Sequence, residues 1–161
     1  MHKYFYMPRI ESIIEPNEDI IDLQNRTVKE IADLLPDIEI QKIGVMSVPM
    51  IGRPELDLVV ITDDPENVVK KLEQASYRAG PFVQGIHFMK KYIDGIDIAL
   101  QIMKPENKMI DSHQRFLTLL KGDQQLKSKY EEFKRTLNGL KSEEYKKRKN
   151  EWIEENIKSF L

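Results

Sequence analysis

Hydrophobic residues recur along this chain at two spacings, one typical of helices and the other of strands. Between residues 20 and 35 they fall three or four positions apart, as on the buried face of a helix, and Pro36 ends the pattern. Leu56–Ile61 is short and rich in β-branched residues, as expected of a strand. Two further apolar segments flank Asp94-Gly95, a dipeptide that predicts a β-hairpin. The pattern therefore predicts helices alternating with strands, and it becomes wholly helical toward the C-terminus.

The predicted elements define a fold class. Helices are predicted at Asn17–Leu35, Pro65–Ala79, Lys108–Lys121, Asp123–Leu137 and Ser142–Ser159. Strands are predicted at Ile38–Gly44, Leu56–Ile61, Ile86–Ile93 and Ile96–Met103, and Gly80-Pro81 is interpreted as the end of the second helix. This order predicts an α+β (α/β) fold, a mixed β-sheet with helices packed on one face and a helical C-terminal segment. We expect a core over residues 1–104 and a C-terminal segment over residues 105–161, packed together as one structural domain.

Composition narrows the class of protein. The chain has 161 residues, no cysteine and a mean hydropathy of −0.51, which excludes disulfide scaffolds and cysteine-based zinc sites. Its apolar runs are far shorter than the roughly 20 residues that a membrane span needs. The first residues contain only a brief aromatic patch before Pro8, without the core of a signal peptide. We therefore expect a cytoplasmic protein that makes no use of a membrane.

Charge is distributed unevenly between the two parts of the chain. Residues 1–103 carry 11 basic and 17 acidic side chains, whereas residues 104–161 carry 14 basic and 10 acidic ones. In the basic part the signs are mixed along a predicted helix, and no stripe of arginines alternates with aromatic residues. The pattern favours a solvated helix face, and it disfavours nucleic acid as a partner.

Three carboxylates are predicted to share one face of the sheet. Strand alternation places Glu55 and Asp57 on the same side of one strand, and Asp97 lies on the polar side of another. If the apolar faces of both strands lie under the same helices, the acids share the open face. Magnesium relieves the repulsion between such carboxylates and takes its other ligands from substrate phosphates. A magnesium site at these three acids is thus one hypothesis, although spacing alone favours the plain exposed side of an amphipathic strand.

The stretch from Ile43 to Leu58 adds weight to the magnesium hypothesis. It resembles the signature of the GrpB family, within the nucleotidyltransferase superfamily, through residues in the same order: Ile43-Gly44, Ser47-Val48-Pro49, Arg53-Pro54 and Asp57. Glu55-Leu56-Asp57-Leu58 also resembles the superfamily's pattern of alternating acidic and hydrophobic residues. The resemblance continues more weakly into the C-terminal helices, at eight positions: Phe116, Leu120, Leu126, Tyr130, Lys134, Tyr145, Lys149 and Ile153. It implies a nucleotidyltransferase-like core.

The resemblance also implies an activity, the magnesium-dependent transfer of a nucleoside monophosphate from a nucleoside triphosphate to an acceptor hydroxyl. Glu55 and Asp57 would hold the metal, and Asp97 would complete the site or accept the hydroxyl proton. The residues expected to meet the nucleotide lie on one turn and at the entry to the strand: Gly44, Val45, Ser47 and Arg53. At Gly44 the backbone itself can approach a phosphate. The acceptor is not identified by the sequence.

Several positions depart from the family's pattern. Val45 stands where the family has a serine, and Ala99 and Gln101 stand where it has a pair of histidines. Leu117 and Thr118 replace an arginine and an aspartate. These departures support an alternative function, a catalytically degenerate accessory module that binds a nucleotide or a protein partner.

Two of the nucleotide-site residues have a second interpretation. Arg53 could contact a triphosphate, but neutralisation of the neighbouring acids is slightly favoured because it needs no ligand. Ser47 precedes Val48-Pro49 in a predicted tight turn, where a hydroxyl more often bonds the local backbone than a substrate.

Overall fold

The protein is described by a computed structural model, which covers residues 10–44, 48 and 50–158. Over these residues the helices are α1 (Glu18–Leu34), α2 (Pro65–Gln74), α3 (Met109–Gly122), α4 (Gln124–Arg135) and α5 (Ser142–Asn156). The strands are β1 (Glu39–Ile43), β2 (Glu55–Ile61), β3 (Arg78–Val83), β4 (Ile86–Ile93) and β5 (Ile96–Met103). Local chemistry fixes several ends: the side chain of Asn17 accepts a hydrogen bond from the Ile20 amide at the start of α1, and that of Asp64 accepts one from the Asn67 amide at the start of α2.

The strands form one mixed sheet in the order β1-β2-β5-β4-β3. β2 and β5 run parallel, and the other neighbouring pairs are antiparallel. The predicted hairpin between β4 and β5 is confirmed, with Asp94 at φ 51° and Gly95 at φ 82°. Two successive positive φ angles suit the right-handed twist of the joined strands. Because β2 and β5 are parallel, their first residues lie side by side at the same end of the sheet.

Each face of the sheet has its own apolar core. On one face, Leu56, Leu58 and Val60 of β2 and their β5 neighbours pack with α1 and α2. On the other face, Val59 and Ile61 pack in a core to which α3, α4 and the end of α5 contribute. The shared apolar face expected for β2 and β5 is therefore present. The C-terminal helical segment covers the opposite side.

The sequence prediction missed strand β3. Residues up to Ala79 were assigned to the second helix, but α2 ends at Gln74, and Ser76 has a positive φ of 73°. β3 is an edge strand with mostly exposed side chains, and its register shifts between Ala79 and Phe82. Its sequence shows no alternation to detect, and Pro81 is tolerated there because an edge strand leaves one side without ladder hydrogen bonds.

The expectation that the acids lie on an open face is wrong. Glu55 and Asp97 are only 8% and 7% exposed, and Asp57 is half-buried. The reason lies in the same strand: Val59 and Ile61 follow the acids on the same face and require cover, which α3–α5 provide. No helix in the described part of the chain is long and apolar enough to cross a membrane.

Candidate functional site

The acidic residues predicted from the sequence meet where β2 and β5 begin. Glu55 stands opposite Asp97 in the parallel register, and Asp57 stands opposite Ala99. Registered neighbours project to the same side of a sheet, so the three acids share one face as predicted. They lie at the edge of the region covered by the C-terminal helices.

Arg53 forms an ion pair with the first of these acids, Glu55. Its Nη2 lies 2.9 Å from Glu55 Oε2, and its Nη1 lies 3.5 Å from Glu11 Oε1. The guanidinium also stands 4.7 Å from the ring centroid of Tyr145. Glu11 is held in turn by a 2.7 Å hydrogen bond that Ser142 Oγ donates. The neutralising role expected of Arg53 is thus present in the structure.

Two lysines from the C-terminal helices complete the charged arrangement. Lys134 of α4 is 0% exposed, and its Nζ donates to the Ile51 carbonyl at 3.2 Å and lies 4.4 Å from the centroid of Tyr130. Lys149 of α5 is half-buried, with its Nζ 5.9 Å from the centroid of Tyr145. We call Glu11, Arg53, Glu55, Asp57, Lys134 and Lys149 the charged corner. It combines three acids and three cations from distant parts of the sequence.

Sequence reasoning did not assign either lysine to the site. The available signal was a repeated spacing, since Tyr130 precedes Lys134 and Tyr145 precedes Lys149 by the same four positions. On a helix this spacing puts the aromatic ring and the ammonium group on one face. The presence of the same aromatic and lysine pair on two helices indicates that both lysines pack at the same site.

Burial governs the protonation of the charged corner. Desolvation, and secondarily the charge of Glu55, raises the pKa of Asp57 to about 7, although Lys149 and Arg53 oppose the rise. Desolvation also lowers the pKa of Lys149, with Arg53 adding to the effect, and lowers that of Lys134 well below its ordinary value. The fold therefore holds these groups at an electrostatic cost. Such perturbed groups are common at functional sites.

Gly44 brings backbone against the Asp57 carboxylate. Its φ is +79°, and a Cβ added there would lie 2.5 Å from Asp57 Oδ2. Only glycine satisfies both conditions without strain. The backbone at Gly44 thus lies close to the Asp57 carboxylate, and its approach to a phosphate stays a prediction. Val45 and Ser47, the other predicted residues of this turn, lie outside the described residues.

The predicted three-acid metal site is not formed. Among residues 10–44, 48 and 50–158, no three His, Cys, Asp or Glu side chains are grouped so as to hold a metal ion. Asp97 belongs to the neighbouring strand, and Arg53 already stands against Glu55. The group that remains is the pair of Glu55 and Asp57.

This pair nevertheless suits magnesium, which needs only one or two protein carboxylates when phosphates and water supply the rest. Glu55 Oε2 is buried and accepts no aligned hydrogen bond from any described residue, despite its ion pair with Arg53. The Tyr130 hydroxyl is also buried, again without a hydrogen-bond partner in the described ranges. Buried polar atoms are normally satisfied; Glu55 Oε2 is paired with Arg53, which leaves the Tyr130 hydroxyl as the described atom here that a further polar group could satisfy.

One of the two altered family positions, Gln101, carries a polar group farther along the same face. Gln101 Oε1 lies 3.0 Å from His113 Nε2, so a histidine from α3 meets the strand position where the family has one. Desolvation lowers the pKa of His113 and favours its neutral form. Ala99, which has no polar side-chain group, lies between this pair and Asp97 along β5.

A cavity of about 480 Å³ lies elsewhere, at the opposite ends of β2 and β5. Its lining includes Asp63, Asp64, Glu66 and Glu106, with Lys104 as the cation among its lining residues. This sign of charge repels phosphate groups. The charged corner, where three cations balance three acids, is therefore the better candidate for a phosphate ligand.

A mixed sheet with an acid pair at the start of one of its two parallel central strands, backed by C-terminal helices, defines a nucleotidyltransferase-like fold. The model of the family described as GrpB protein matches residues 12–159. The chain belongs to the GrpB family.

Individual relatives agree with this assignment. A UPF0157 protein of Vibrio cholerae is 29% identical over 130 residues, which span 78% of this chain and 69% of that protein. The crystal structure of GrpB from Enterococcus faecalis superimposes with a TM-score of 0.70 at 18% identity, covering 89% of this chain and 98% of that one. At a sequence identity this low, the structural similarity shows that the fold is shared.

Nucleotidyltransferases share the same core. A structure of Cid1 described for its RNA terminal uridylyl transferase activity matches with a TM-score of 0.52 and 16% identity, over 71% of this chain and 40% of that one. A cytoplasmic RNA terminal U-transferase matches with a TM-score of 0.50 and 15% identity, over 71% and 38% of the two chains. The present chain therefore spans about two fifths of those enzymes, and the similarity concerns the fold.

Proposed function

We propose that the protein binds a nucleoside triphosphate at the charged corner and, with magnesium, transfers its nucleoside monophosphate to an acceptor hydroxyl. The observation that carries this proposal is the joint burial of Glu55 and Asp57 with three cations on a nucleotidyltransferase-like fold. A purely structural arrangement would be more stable with apolar residues in these positions.

Each group has a role in this proposal. Glu55 and Asp57 would hold magnesium, which when bound neutralises phosphate charge and favours departure of pyrophosphate. Arg53 and Lys149 attract the triphosphate, and the turn at Gly44 offers backbone instead of a bulky side chain. Lys134 fixes the Ile51 carbonyl and so positions the segment that leads into β2.

The reaction balances as follows. The acceptor oxygen forms a bond to the α-phosphorus, and the bond from that phosphorus to the oxygen bridging the α- and β-phosphates breaks. Pyrophosphate leaves with the bonding electrons. Asp97, next to Glu55 across the parallel pair, takes the proton of the acceptor hydroxyl and releases it to solvent.

A second candidate function is supported by the ion pair between Arg53 and Glu55. This contact balances the charge of one proposed metal ligand without any metal. A module that binds a nucleotide, or a protein partner, without catalysis would retain such a pair.

Transfer from ATP labelled at its α-phosphate, incubated with magnesium and cell extract, distinguishes the two functions. The enzyme predicts label on an acceptor, and Asp57→Asn should reduce it by at least about a hundredfold, as expected when an electrostatic contact to reacting groups is removed. Asp33→Asn, an exposed change on α1, is the matched control and should transfer normally.

Thermal unfolding in millimolar ATP and magnesium supplies the second measurement. A raised melting temperature without label transfer would favour the binding module. The absence of both a melting-temperature shift and label transfer in the wild-type protein would overturn the nucleotide proposal.

A further inference from the structure

The sheet face that carries the acids continues beyond them onto β4 and β3. The strand register aligns Asp57 with Ala99, then with Lys90 of β4 and Arg78 of β3. The adjacent row aligns Glu55 and Asp97 with Tyr92 of β4. Since registered residues share a face, Arg78, Lys90 and Tyr92 project to the same side as the acids. We call these three residues the β4 patch.

The β4 patch is open where the rest of this face is covered. Tyr92 is 68% exposed, Arg78 is exposed and Lys90 is half-buried. The C-terminal helices instead cover the next rows, where Phe88 and Ile86 contribute to the apolar core. Among the described residues, the side chain of Lys90 has neither an ion pair nor a hydrogen bond.

The position and charge of the β4 patch together indicate the kind of ligand that it binds. Lys90 lies two strand spacings from Asp57, roughly 10 Å, and small Ala99 lies between them. A ligand there would have one end at Asp97 and the other at the two cations. Tyr92 adds a flat surface on which an aromatic base can stack.

The geometry points to the β4 patch as the acceptor site, and to a phosphate-bearing nucleoside as the acceptor. This inference rests on the proposed transfer reaction and adds the chemical class of the acceptor. The acceptor's phosphate meets Lys90 and Arg78, its base lies on Tyr92, and its free hydroxyl faces Asp97. A free mononucleotide and the terminal nucleotide of an oligonucleotide present the same chemistry.

Equilibrium binding tests this assignment without requiring turnover. The probe is hexa-adenylate labelled at its 5′ end with fluorescein, followed by anisotropy in saturating magnesium and α,β-methylene ATP, with unlabelled AMP as competitor. Charge reversal in Lys90→Glu/Arg78→Glu should weaken binding by at least about tenfold. Lys70→Glu, an exposed change on α2 at the other face, should bind like the wild type.

The competition identifies the source of the acceptor. Displacement of the probe by AMP at comparable concentration indicates a free mononucleotide, whereas binding that AMP does not displace indicates a chain terminus. Both outcomes support the assignment when the double variant loses binding.

Two results would overturn the inference. One is equal binding by the wild type and the double variant, and the other is failure of the wild type to bind the labelled hexa-adenylate. The thermal shift with ATP and magnesium is measured on the same protein preparations without the analogue. If that shift persists, only the acceptor assignment has failed; if it is absent from the wild type, the nucleotide proposal has failed separately.

Discussion

The two faces of strand β2 differ in what they bury. On one face Leu56, Leu58 and Val60 are fully buried among aliphatic side chains from α1 and α2. On the other, Glu55 and Asp57 precede Val59 and lie among ionisable groups from three other segments. The first face gains stability from every buried atom, whereas the second includes groups whose burial is unfavourable. The comparison teaches that one strand serves stability with one face and ligand chemistry with the other.

Removing the central cation of the charged corner should have the largest effect on stability. Arg53→Met leaves Glu11 and Glu55 buried without their partner, so the free energy of unfolding should fall by about 3–5 kcal/mol in urea denaturation. Arg148→Met removes an exposed ion pair with Glu144 and should leave stability unchanged. Equal effects of the two substitutions would show that the buried pair has no special weight.

A truncation on the apolar face should separate stability from ligand binding. Leu58→Ala should reduce the free energy of unfolding by about 2–5 kcal/mol through the cavity that it leaves. The rise in melting temperature caused by ATP and magnesium should persist, because Leu58 points away from the acids. Loss of that rise in a folded variant would contradict the division between faces.

Two glycines with similar positive φ angles can be used to test how closely the backbone approaches Asp57. Gly44→Ala and Gly139→Ala both place a side chain at positive φ, which costs about 1–2 kcal/mol. Only Gly44→Ala also brings a Cβ against the carboxylate, whereas nothing lies within 4 Å of the corresponding position at Gly139. Chemical denaturation should therefore show a greater loss for Gly44→Ala, and equal losses would contradict the contact.

The last predicted effect is a pH dependence. Because the folded-state pKa of Asp57 is raised, the folded protein binds this proton more tightly than the unfolded chain does. Its contribution to stability is present below about pH 4 and declines toward about pH 7. Asp57→Asn lacks this loss, so its melting temperature relative to wild type should increase between about pH 5 and about pH 8 without divalent cations. A constant difference would mean that Asp57 titrates normally.

Local patterns predicted much of the fold. The Asp94-Gly95 hairpin and β2 follow from turn chemistry and from β-branched residues, both of which act over a few positions. β3 could not be predicted, because its exposed residues and Pro81 leave no alternation. The same local rules predicted that Glu55 and Asp57 share a face. They could not predict that this face is covered, since that depends on where distant helices dock.

The charged corner required long-range information for the same reason. Lys134 and Lys149 belong to helices far from β2 in sequence. Their position beside β2 depends on how Tyr130 and Tyr145 pack on the same helices. The resemblance to the family marked these positions without assigning them a role. Their depressed pKa values follow from burial, which a sequence alone does not give.

The segment around Glu11 connects the beginning of the described chain to its last helices. The Glu11 amide donates to the Leu140 carbonyl, the Glu11 carbonyl accepts from the Gly139 amide, and its carboxylate contacts Arg53 and Ser142. Residues separated by about 130 positions thus close around one arginine. During translation, Arg53 and Glu55 leave the ribosome long before Ser142 and Lys149 do. The charged corner can therefore be completed only after the segment that carries Ser142 and Lys149 has been synthesised.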